Sequence, residues 1–381
     1  MKVVTAHTTE IDNVKAAAED IKNQLGEIDT YPEENTFGFL SCHFEFVRSG
    51  AAEAIIKALP FPVFGATSSL MGTNNACGEL ILTLTVVSGE EIEKVEITAT
   101  PPVKDNTDLD ALIAPIFGDT DKKPALVWVC APDFVLINGD MLCESYNKIG
   151  YGVPLFGMYA VDDSPLFNEE CYVFTKDLIS RDRVVFMKIY GDIKPFTAAI
   201  SIPRAKILPR VGMVTKSDKN TVYEIDGKPA SEFLGKFGLA EQLEISGAIS
   251  ALSLIVNNKN ETHYHSRTLL GINPDGSALT GGSVKTGSEI RIGLFDRDGM
   301  LEAASDMLQN ALDKTHISVM FICCCATRSV ALGCQDMDEI NLAGELSDRV
   351  PFALSYAGGE IAPHGSDNAF FHNQSFCICA F

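Results

Sequence analysis

The chain has few positive charges for its length. Its 381 residues include 30 lysines and arginines against 51 aspartates and glutamates, which gives a formal net charge of −21. Proteins that bind DNA or RNA need the opposite sign, because their affinity comes from cations that displace counterions from phosphate. We therefore expect no nucleic-acid partner. The acidic residues are spread along the chain, which is typical of a solvated surface.

Long apolar segments are also missing. The apolar runs end after about ten residues, whereas a membrane-spanning helix needs about 20. The first residues, Met1 to His7, have the pattern of a strand and lack the apolar core of a secretory signal. These absences predict a cytoplasmic protein without membrane insertion. Its 11 cysteines are then expected to be reduced thiols, most of them buried on strands.

Motifs for metals and nucleotides are absent or incomplete. No Cys-x-x-Cys pair occurs, and the glycine-rich stretch 281–288 has P-loop letters in the wrong order. His263 and His265 share one face of a predicted strand, so they form either a two-ligand fragment of a metal site or a polar strand face. We expect no metal and no other cofactor.

The order of predicted secondary-structure elements recurs three times. The apolar spacing in residues 1–87 gives the order strand, helix, strand, helix, strand, strand. The same order follows between Val95 and Thr175, and again over residues 289–381, where Glu289 to Phe295 forms the predicted first strand. The pattern predicts three βαβαββ units with similar topology.

A proline marks the same place in each copy. Pro62, Pro154 and Pro351 each stand between a predicted helix and a short apolar strand. Proline fixes φ and lacks the N–H that a helix needs, while the preceding residue is pushed towards extended conformation. Each short strand leads into a loop rich in Gly, Ser, Asn and Asp. Such loops at strand ends are common ligand sites in open α/β folds.

The middle of the chain, residues 183–288, has strand patterns separated by turn signals. A chain of 381 residues also exceeds the usual size of one hydrophobic core, about 250–300 residues. We predict an α/β protein of mixed α+β type, with repeated βαβαββ units, mixed sheets and a β-rich middle segment. Its expected domains are residues 1–200 and 201–381, the second comprising a β-rich part, 201–288, and the unit 289–381.

The second half of the chain carries a series of short motifs. In chain order these are Asp226-Gly227-Lys228-Pro229-Ala230, Arg267-Thr268, Cys325-Ala326-Thr327-Arg328, Gly359-Glu360-Ile361 preceded by Tyr356, and His372-Asn373-Gln374-Ser375. The series resembles the FIST C domain, whose members usually have Thr where this chain has Ser375. Residues 1–200 fit the looser pattern of the FIST N domain. Nearly the whole chain therefore resembles a stand-alone FIST protein.

The resemblance implies a sensory protein in intracellular signal transduction that binds a small molecule, such as an amino acid or a related carboxylate. No segment has the pattern of a kinase, a cyclase or a DNA-binding module, so the output is expected to pass through a separate signalling protein. The sequence leaves the oligomeric state open. The alternative functions are an enzyme that acts on a small metabolite through Cys or Glu, and a protein-binding scaffold.

Two charged side chains suit such a ligand. Arg328 and Glu360 each follow an apolar strand, and two glycines before Glu360 let the backbone approach closely. Arginine can hold a carboxylate by two hydrogen bonds, and glutamate can receive an ammonium group, so the pair matches an amino acid. Alternatively, Arg328 and Glu360 pair with each other as a structural bridge.

Four further residues are assigned to the same ligand site. Tyr356 would supply an apolar wall, Asn373 and His372 would line the pocket from the closing strand, and Arg267 would approach from the β-rich segment. The alternative for His372 and Asn373 is that they only cap or pair within that strand. A site between two parts of a chain is typical of small-ligand pockets.

A catalytic thiol is the last possibility. One of Cys323, Cys324 and Cys325 could act as a nucleophile if His364 or His372 lay beside it as a base. Consecutive cysteines on an apolar strand alternate between its faces, however, and buried thiols are ordinarily inert. We therefore expect no catalytic residue and no enzymatic activity.

Overall fold

The fold is described from a computed structural model of the chain. The described residues are 1–26, 31–104, 108–118, 122–149, 151–164, 169–239, 252–258, 264–314, 317–333, 337–347, 350–364 and 368–381. His263 and Cys334, which the sequence analysis considered, lie outside them. Within the described residues, no helix combines the length and the apolar character needed to cross a membrane.

The first unit alternates strands and helices as predicted. Its elements are β1 (Lys2–Thr8), α1 (Val14–Leu25), β2 (Thr36–Cys42), α2 (Glu45–Arg48), α3 (Ala51–Ala58), β3 (Val63–Thr67), β4 (Met71–Thr73), β5 (Cys77–Gly78) and β6 (Leu82–Ser88). Helix α1 begins where the Asn13 side chain accepts a hydrogen bond from the N–H of Ala16. It buries Ala17, Ile21 and Leu25, which recur every four residues and so share one face.

The second unit repeats this order. Its elements are β7 (Ile92–Ala99), α4 (Leu109–Ile113), a 3-10 turn (Ala114–Phe117), β8 (Leu126–Ala131), α5 (Gly139–Ile149), β9 (Leu155–Tyr159), β10 (Val173–Thr175), β11 (Leu178–Ser180) and β12 (Val185–Gly191). Strand β8 is apolar throughout and buried on both faces, as a strand in the middle of a covered sheet must be.

A β-rich segment interrupts the third unit. After β13 (Phe196–Ile200) and a 3-10 turn (Arg204–Lys206) the chain forms β14 (Gly212–Asp218), β15 (Thr221–Ile225), β16 (Lys228–Pro229), α6 (Ala230–Gly235), β17 (Leu252–Asn257), β18 (His265–Ile272), β19 (Ala278–Thr280) and β20 (Glu289–Leu294). The third unit then resumes with α7 (Arg297–Leu312), β21 (Met320–Cys325), α8 (Ala326–Leu332), α9 (Asp338–Leu346), β22 (Phe352–Ala357), β23 (Glu360–Pro363), β24 (Ala369–His372) and β25 (Phe376–Ala380).

Three six-stranded sheets have the same topology, which confirms the repeated units and the mixed sheets. Their strand orders are β1-β6-β2-β3-β10-β11, β7-β12-β8-β9-β23-β24 and β13-β25-β21-β22-β4-β5. In each sheet the third and fourth strands are parallel and the other neighbours are antiparallel. The last two strands of every sheet form a hairpin that comes from another unit. The units therefore exchange hairpins in a cycle, which ties them into one body.

The first strand of the third unit differs from the prediction. We expected it at Glu289 to Phe295, but β20 pairs with β14 and β17 in the β-rich segment. Strand β13 takes the place beside β25 instead. An alternating apolar pattern specifies a strand and its buried face, but it does not specify the neighbouring strand. The domain division at residue 200 stays a prediction.

The β-rich segment closes into a barrel. Its strand order is β14-β20-β17-β18-β19-β15-β16, and an additional pairing of β14 with β15 closes the ring. Buried aliphatic side chains such as Val214, Leu254 and Ile290 fill the interior. The two chain segments that link the barrel to the third unit run side by side, since Ile207 forms a bridge with Gly293.

Aromatic rings from all three units meet in the central core. Trp128 is fully buried, and its ring centroid lies 4.9 Å from that of Phe39, 5.2 Å from those of Phe64 and Phe156, and 4.5 Å from that of Phe321. Aromatic pairs at these distances stabilise a core beyond the area that they bury. The sheets are therefore fixed against one another at the place where their strands converge.

Candidate functional site

Three of the residues predicted for the ligand site contact the end of β24 or the turn that joins it to β25. Arg267 donates to the carbonyl oxygen of Phe371 at 3.1 Å, and Arg328 donates to that of Gln374 at 3.3 Å. The Glu360 carboxylate accepts from the N–H and the hydroxyl of Ser375 at 3.3 and 2.5 Å. We call residues 371–375 the closing turn. The predicted motif and the predicted charges therefore meet in one buried polar region.

Arg328 is paired with a residue that the sequence analysis did not consider. The Nε and Nη2 atoms of Arg328 donate to Oε1 of Glu339 at 2.9 and 2.5 Å, and the hydroxyl of Tyr356 donates to Oε2 at 2.9 Å. Burial opposes the charge of Arg328, but the attraction and hydrogen bonds of Glu339 outweigh it and hold the pKa of the guanidinium above its ordinary value. The structural bridge therefore runs from Arg328 to Glu339, which corrects the alternative of a bridge to Glu360.

Helical spacing contained a signal for Glu339. On α9 the buried residues are Glu339, Ile340 and Ala343, and positions four apart lie on the same helix face. Glu339 also stands in the first turn, where acidic residues are usually read as exposed partners of the helix dipole. The periodicity predicted a buried Glu339, whereas its place in the first turn predicted an exposed one. The packing of α9 on β22 shows that Glu339 is buried.

Glu360 is fully buried, and only one of its two carboxylate oxygens has a hydrogen-bond partner among the described residues. Its Oε2 atom accepts from Ser375, whereas Oε1 has no hydrogen-bond partner in the described part of the chain. Burial raises the pKa of Glu360 well above its ordinary value, and the hydrogen bonds from Ser375, the charge of Arg328 and the nearby Cys325 thiol offset this only in part. A carboxyl in this environment favours its neutral form and can donate a hydrogen bond.

The repeated topology shows that the fold itself does not need this carboxyl. Glu360 pairs with Met158 of β9, Val173 pairs with Ala66 of β3, and Met71 pairs with Ser355 of β22. Glu360, Val173 and Met71 each begin the hairpin that one unit contributes to the sheet of another. Their positions are equivalent, because each pairs with the residue four places after a landmark proline. Two of them carry apolar residues. A buried carboxyl at the third is therefore a departure from the requirements of packing.

Glu360→Gln is expected to raise the free energy of unfolding at neutral pH. Because the folded-state pKa of Glu360 is raised, the folded chain keeps a proton that the unfolded chain releases above its ordinary pKa. The stability that Glu360 contributes is complete below about pH 4.5 and is lost as the pH rises towards the folded-state pKa, by at most about 1.4 kcal/mol per pH unit. Glutamine does not titrate, and its oxygen still accepts from Ser375.

Urea unfolding of the wild type and Glu360→Gln, from about pH 5 to about pH 8, measures this effect. The stability advantage of the variant should grow with pH, while Glu79→Gln at an exposed position should show no such growth. An advantage that shrinks as the pH rises would mean that Glu360 is stabilised in its charged form.

Arg267 lies at the junction of the barrel with the second and third units. It is 2% exposed, and its Nη2 donates to the carboxylate of Asp140 on α5 at 2.6 Å. Its other nitrogens donate to the carbonyl oxygens of Ser266, Phe371 and Ser283 at 3.1, 3.1 and 3.2 Å. These contacts satisfy the guanidinium within the protein, so Arg267 positions the surrounding segments.

Two amide side chains of the closing turn remain partly unpaired. Oδ1 of Asn373 and Nε2 of Gln374 are buried and have no hydrogen-bond partner among the described residues. Oε1 of Gln374 accepts from the hydroxyl of Ser266 on β18 at 2.8 Å. Gln374 itself has a positive φ of 55°, which is uncommon for a residue other than Gly or Asn. Buried polar atoms are nearly always hydrogen-bonded, so this cluster requires an explanation.

A cavity of about 280 Å³ opens beside the closing turn, between the barrel and the third unit. It is lined by Ala199, Ile200, Ser201, Ile202, Pro203, Arg204, Tyr264, Ser266, His364 and His372. The guanidinium of Arg204 lies 5.7 Å from the ring centroid of Tyr264. Burial, together with the nearby His265, lowers the pKa of His372 to about 3, so this ring is neutral at physiological pH.

The six predicted residues thus fall into four groups. Arg328 and Tyr356 belong to the pair with Glu339, Glu360 and Asn373 belong to the partly unpaired cluster, and His372 lines the cavity. Arg267 holds the junction from the barrel side. That Arg328, Tyr356, Glu360 and Asn373 line one pocket stays a prediction.

None of the ten described thiols is an activated nucleophile in this arrangement. The described cysteines are free, and all except Cys77 are buried. Burial, with the Glu360 carboxyl next in effect, raises the pKa of Cys325 to about 12, and burial likewise raises the pKa values of Cys323 and Cys324 well above their ordinary value. A reactive cysteine needs a lowered pKa, because the thiolate is the nucleophile.

Comparison with protein families identifies the two halves of the chain. The sequence profile of the FIST N domain matches residues 36–228, and that of the FIST C domain matches residues 227–363. No curated protein matches the chain. FIST domains are sensory domains of signal transduction that bind small ligands. Since the two matches cover most of the sequence, the chain belongs to the FIST family.

Proposed function

We propose that this FIST protein senses a small carboxylate, of the amino acid class, at the junction between the barrel and the third unit. The observation that carries the proposal is the set of three buried, unpaired polar atoms around the closing turn: Oε1 of Glu360, Oδ1 of Asn373 and Nε2 of Gln374. Atoms of this kind occur where a ligand or an ordered water completes the hydrogen bonding.

The cavity beside the closing turn has the chemistry for a carboxylate ligand. Arg204 is exposed at its wall and can bind a carboxylate by two hydrogen bonds. His372 is neutral and therefore contributes hydrogen bonding without charge. Ser266 lines the cavity and also donates to Gln374, so the cavity is connected to the unpaired cluster. Because Glu360 favours its neutral form, it supports such a ligand as a hydrogen-bond donor.

The position of the cavity suits a sensor. Its wall includes residues 201–204, which lead into the barrel, Ser266 of the barrel strand β18, and His372 of the third unit. A ligand that contacts all three would bind more tightly to one docking position of the barrel than to others. It would therefore shift the population towards that position. The docked barrel would then be the surface that a separate signalling protein recognises.

Thermal-shift screening against amino acids and related carboxylates tests the proposal. A ligand at a hundred times its dissociation constant should stabilise the wild type by about 2.7 kcal/mol. Arg204→Ala should remove the shift, because it deletes the cation at the cavity wall, while Arg210→Ala at an exposed position outside the cavity should keep it. The proposal fails if no carboxylate shifts the transition, or if the shift survives in Arg204→Ala.

A further inference from the structure

We infer that a second site, between the second unit and the barrel, binds a small amphipathic anion such as a medium-chain carboxylate. The site is a groove of about 360 Å³. Its lining consists of Val103, Lys104, Leu109, Phe134, Val135, Leu136, Ile137, Asn138, Met141, Lys219 and Asn220. These residues are separate from those of the cavity at the closing turn, so this inference stands independently of the proposed function.

One wall of the groove is apolar and exposed. Val135 and Met141 are 61% and 37% exposed and line the same groove. Exposed apolar residues usually occur singly, at separate places on a surface. Two hydrogen bonds hold the backbone of Val135 and Met141 in place. The N–H of Val135 donates to Asp133 at 2.7 Å, and that of Met141 donates to the Asn138 side chain at 3.1 Å. An apolar surface held in place in this way is preorganised for an apolar ligand.

Lys219 lies on the opposite wall, and its backbone has a left-handed conformation that is uncommon for lysine. Lys219 and Asn220 form the turn between β14 and β15, and Lys219 has a φ of 49°. Gly or Asn is favoured at such a position, because a Cβ atom is crowded there, glycine has none, and the asparagine side chain offsets the cost by local hydrogen bonding. The carbonyl oxygen of Lys219 accepts from Val284, and that of Asn220 accepts from Thr280, so the barrel holds the turn in this conformation. The backbone does not favour lysine here, yet Lys219 is exposed and lines the groove.

The charge of the groove selects an anion. Its lining includes the exposed Lys219, and none of the described lining residues is acidic, although the whole chain has 51 acidic against 30 basic residues. Lys219 forms no ion pair with a described residue. A ligand with one anionic head and an apolar body would place the head at Lys219 and the body on Val135 and Met141. The volume is that of a small-molecule site, which favours this occupant over a folded peptide.

Such a ligand would bridge the second unit and the barrel. The same junction contains the Arg267–Asp140 pair and the exposed Lys285–Glu144 pair at 2.8 Å. Binding across the junction would therefore strengthen the docking of the barrel on the second unit.

Isothermal titration calorimetry of the full chain with sodium octanoate and with 1-octanol tests the inference. The two probes share the apolar body and differ in the charged head. We expect octanoate to bind about fivefold more tightly than octanol, the upper range for an exposed ion pair. Lys219→Asn should remove this difference without lowering the melting temperature, because asparagine suits the backbone of the turn. Val135→Asn should weaken the binding of both probes.

Lys216→Asn is the matched control, since Lys216 lies on the same hairpin with its ammonium 5.3 Å from the Tyr223 ring centroid and does not line the groove. It should leave the affinity for octanoate unchanged. Absence of octanoate binding at millimolar concentration would overturn the inference. So would an affinity for octanoate that is unchanged in both Lys219→Asn and Val135→Asn.

Discussion

Arg328→Ala should destabilise the chain by about 3–5 kcal/mol, the usual cost of removing one partner from a buried ion pair. Arg328 and Glu339 are both fully buried. The substitution would leave the Glu339 carboxylate with the hydroxyl of Tyr356 as its remaining side-chain donor, and it would also remove the donor to the Gln374 carbonyl. Because Gln374 belongs to the closing turn, ligand binding at the cavity should weaken as well.

Arg297→Ala provides the control for this experiment. Arg297 pairs with Asp338, the neighbour of Glu339, but its side chain is 49% exposed. An exposed pair contributes at most about 1 kcal/mol. The loss in free energy of unfolding, measured with denaturant, should therefore be severalfold larger for Arg328→Ala than for Arg297→Ala. The opposite outcome is that Arg328→Ala lowers the free energy of unfolding by no more than Arg297→Ala does and removes only ligand binding. Arg328 would then be a ligand-binding residue, and its pair with Glu339 would not be needed for stability.

Arg267→Ala should cost about 2–5 kcal/mol and should act first on the docking of the barrel. The guanidinium joins Asp140 of the second unit to main-chain oxygens of the closing turn and of the barrel. Its loss leaves the Asp140 carboxylate without its cation and three carbonyl oxygens without this donor. Since Asp140 is 18% exposed, water can compensate in part, which places the effect below that of a fully enclosed pair.

Hydrogen exchange resolved along the chain separates loss of docking from global unfolding. In Arg267→Ala, amides of α5, β18 and the closing turn should exchange faster than those of the central strands β2, β8 and β21. Lys285→Ala, which breaks an exposed pair at the same junction, should change protection by less than about 1 kcal/mol. Uniform loss of protection across all sheets would show that Arg267 stabilises the whole body and that the barrel does not move separately.

The repeated architecture helps to separate residues that serve the fold from those that serve a ligand. Equivalent positions in the three sheets face the same packing environment, so the same kind of residue is expected at each. Gly65 and Gly157 illustrate a structural requirement shared by two of the copies, because a Cβ there would lie 1.7 and 2.0 Å from the carbonyl oxygens of Leu40 and Val129, whereas the third copy has Leu354 at this position. Glu360 illustrates the opposite case, since its counterparts are apolar and Glu360→Gln is expected to stabilise the chain at neutral pH. Stability given up at one position is typical of a functional site.

The sequence by itself determined the local structure and the family. Apolar spacing predicted the alternating strands and helices, the three landmark prolines aligned the copies, and the motifs from Arg267 to Ser375 pointed to the FIST C domain. These features are local, because strand and helix periodicity and turn chemistry are written in neighbouring residues. The charged residues near strand ends could be found in the same way, and Arg328, Glu360 and Arg267 do contact the closing turn.

Only the tertiary structure decided which elements and side chains are partners. The exchange of hairpins between units, and the choice of β13 over β20 as the first strand of the third unit, depend on pairing between distant segments. Glu339 is Arg328's partner because α9 packs beside β22, and Ser266 reaches Gln374 because the barrel docks on the closing turn. A periodic pattern fixes the face on which a side chain lies, whereas its partner on another element depends on how all the elements pack together.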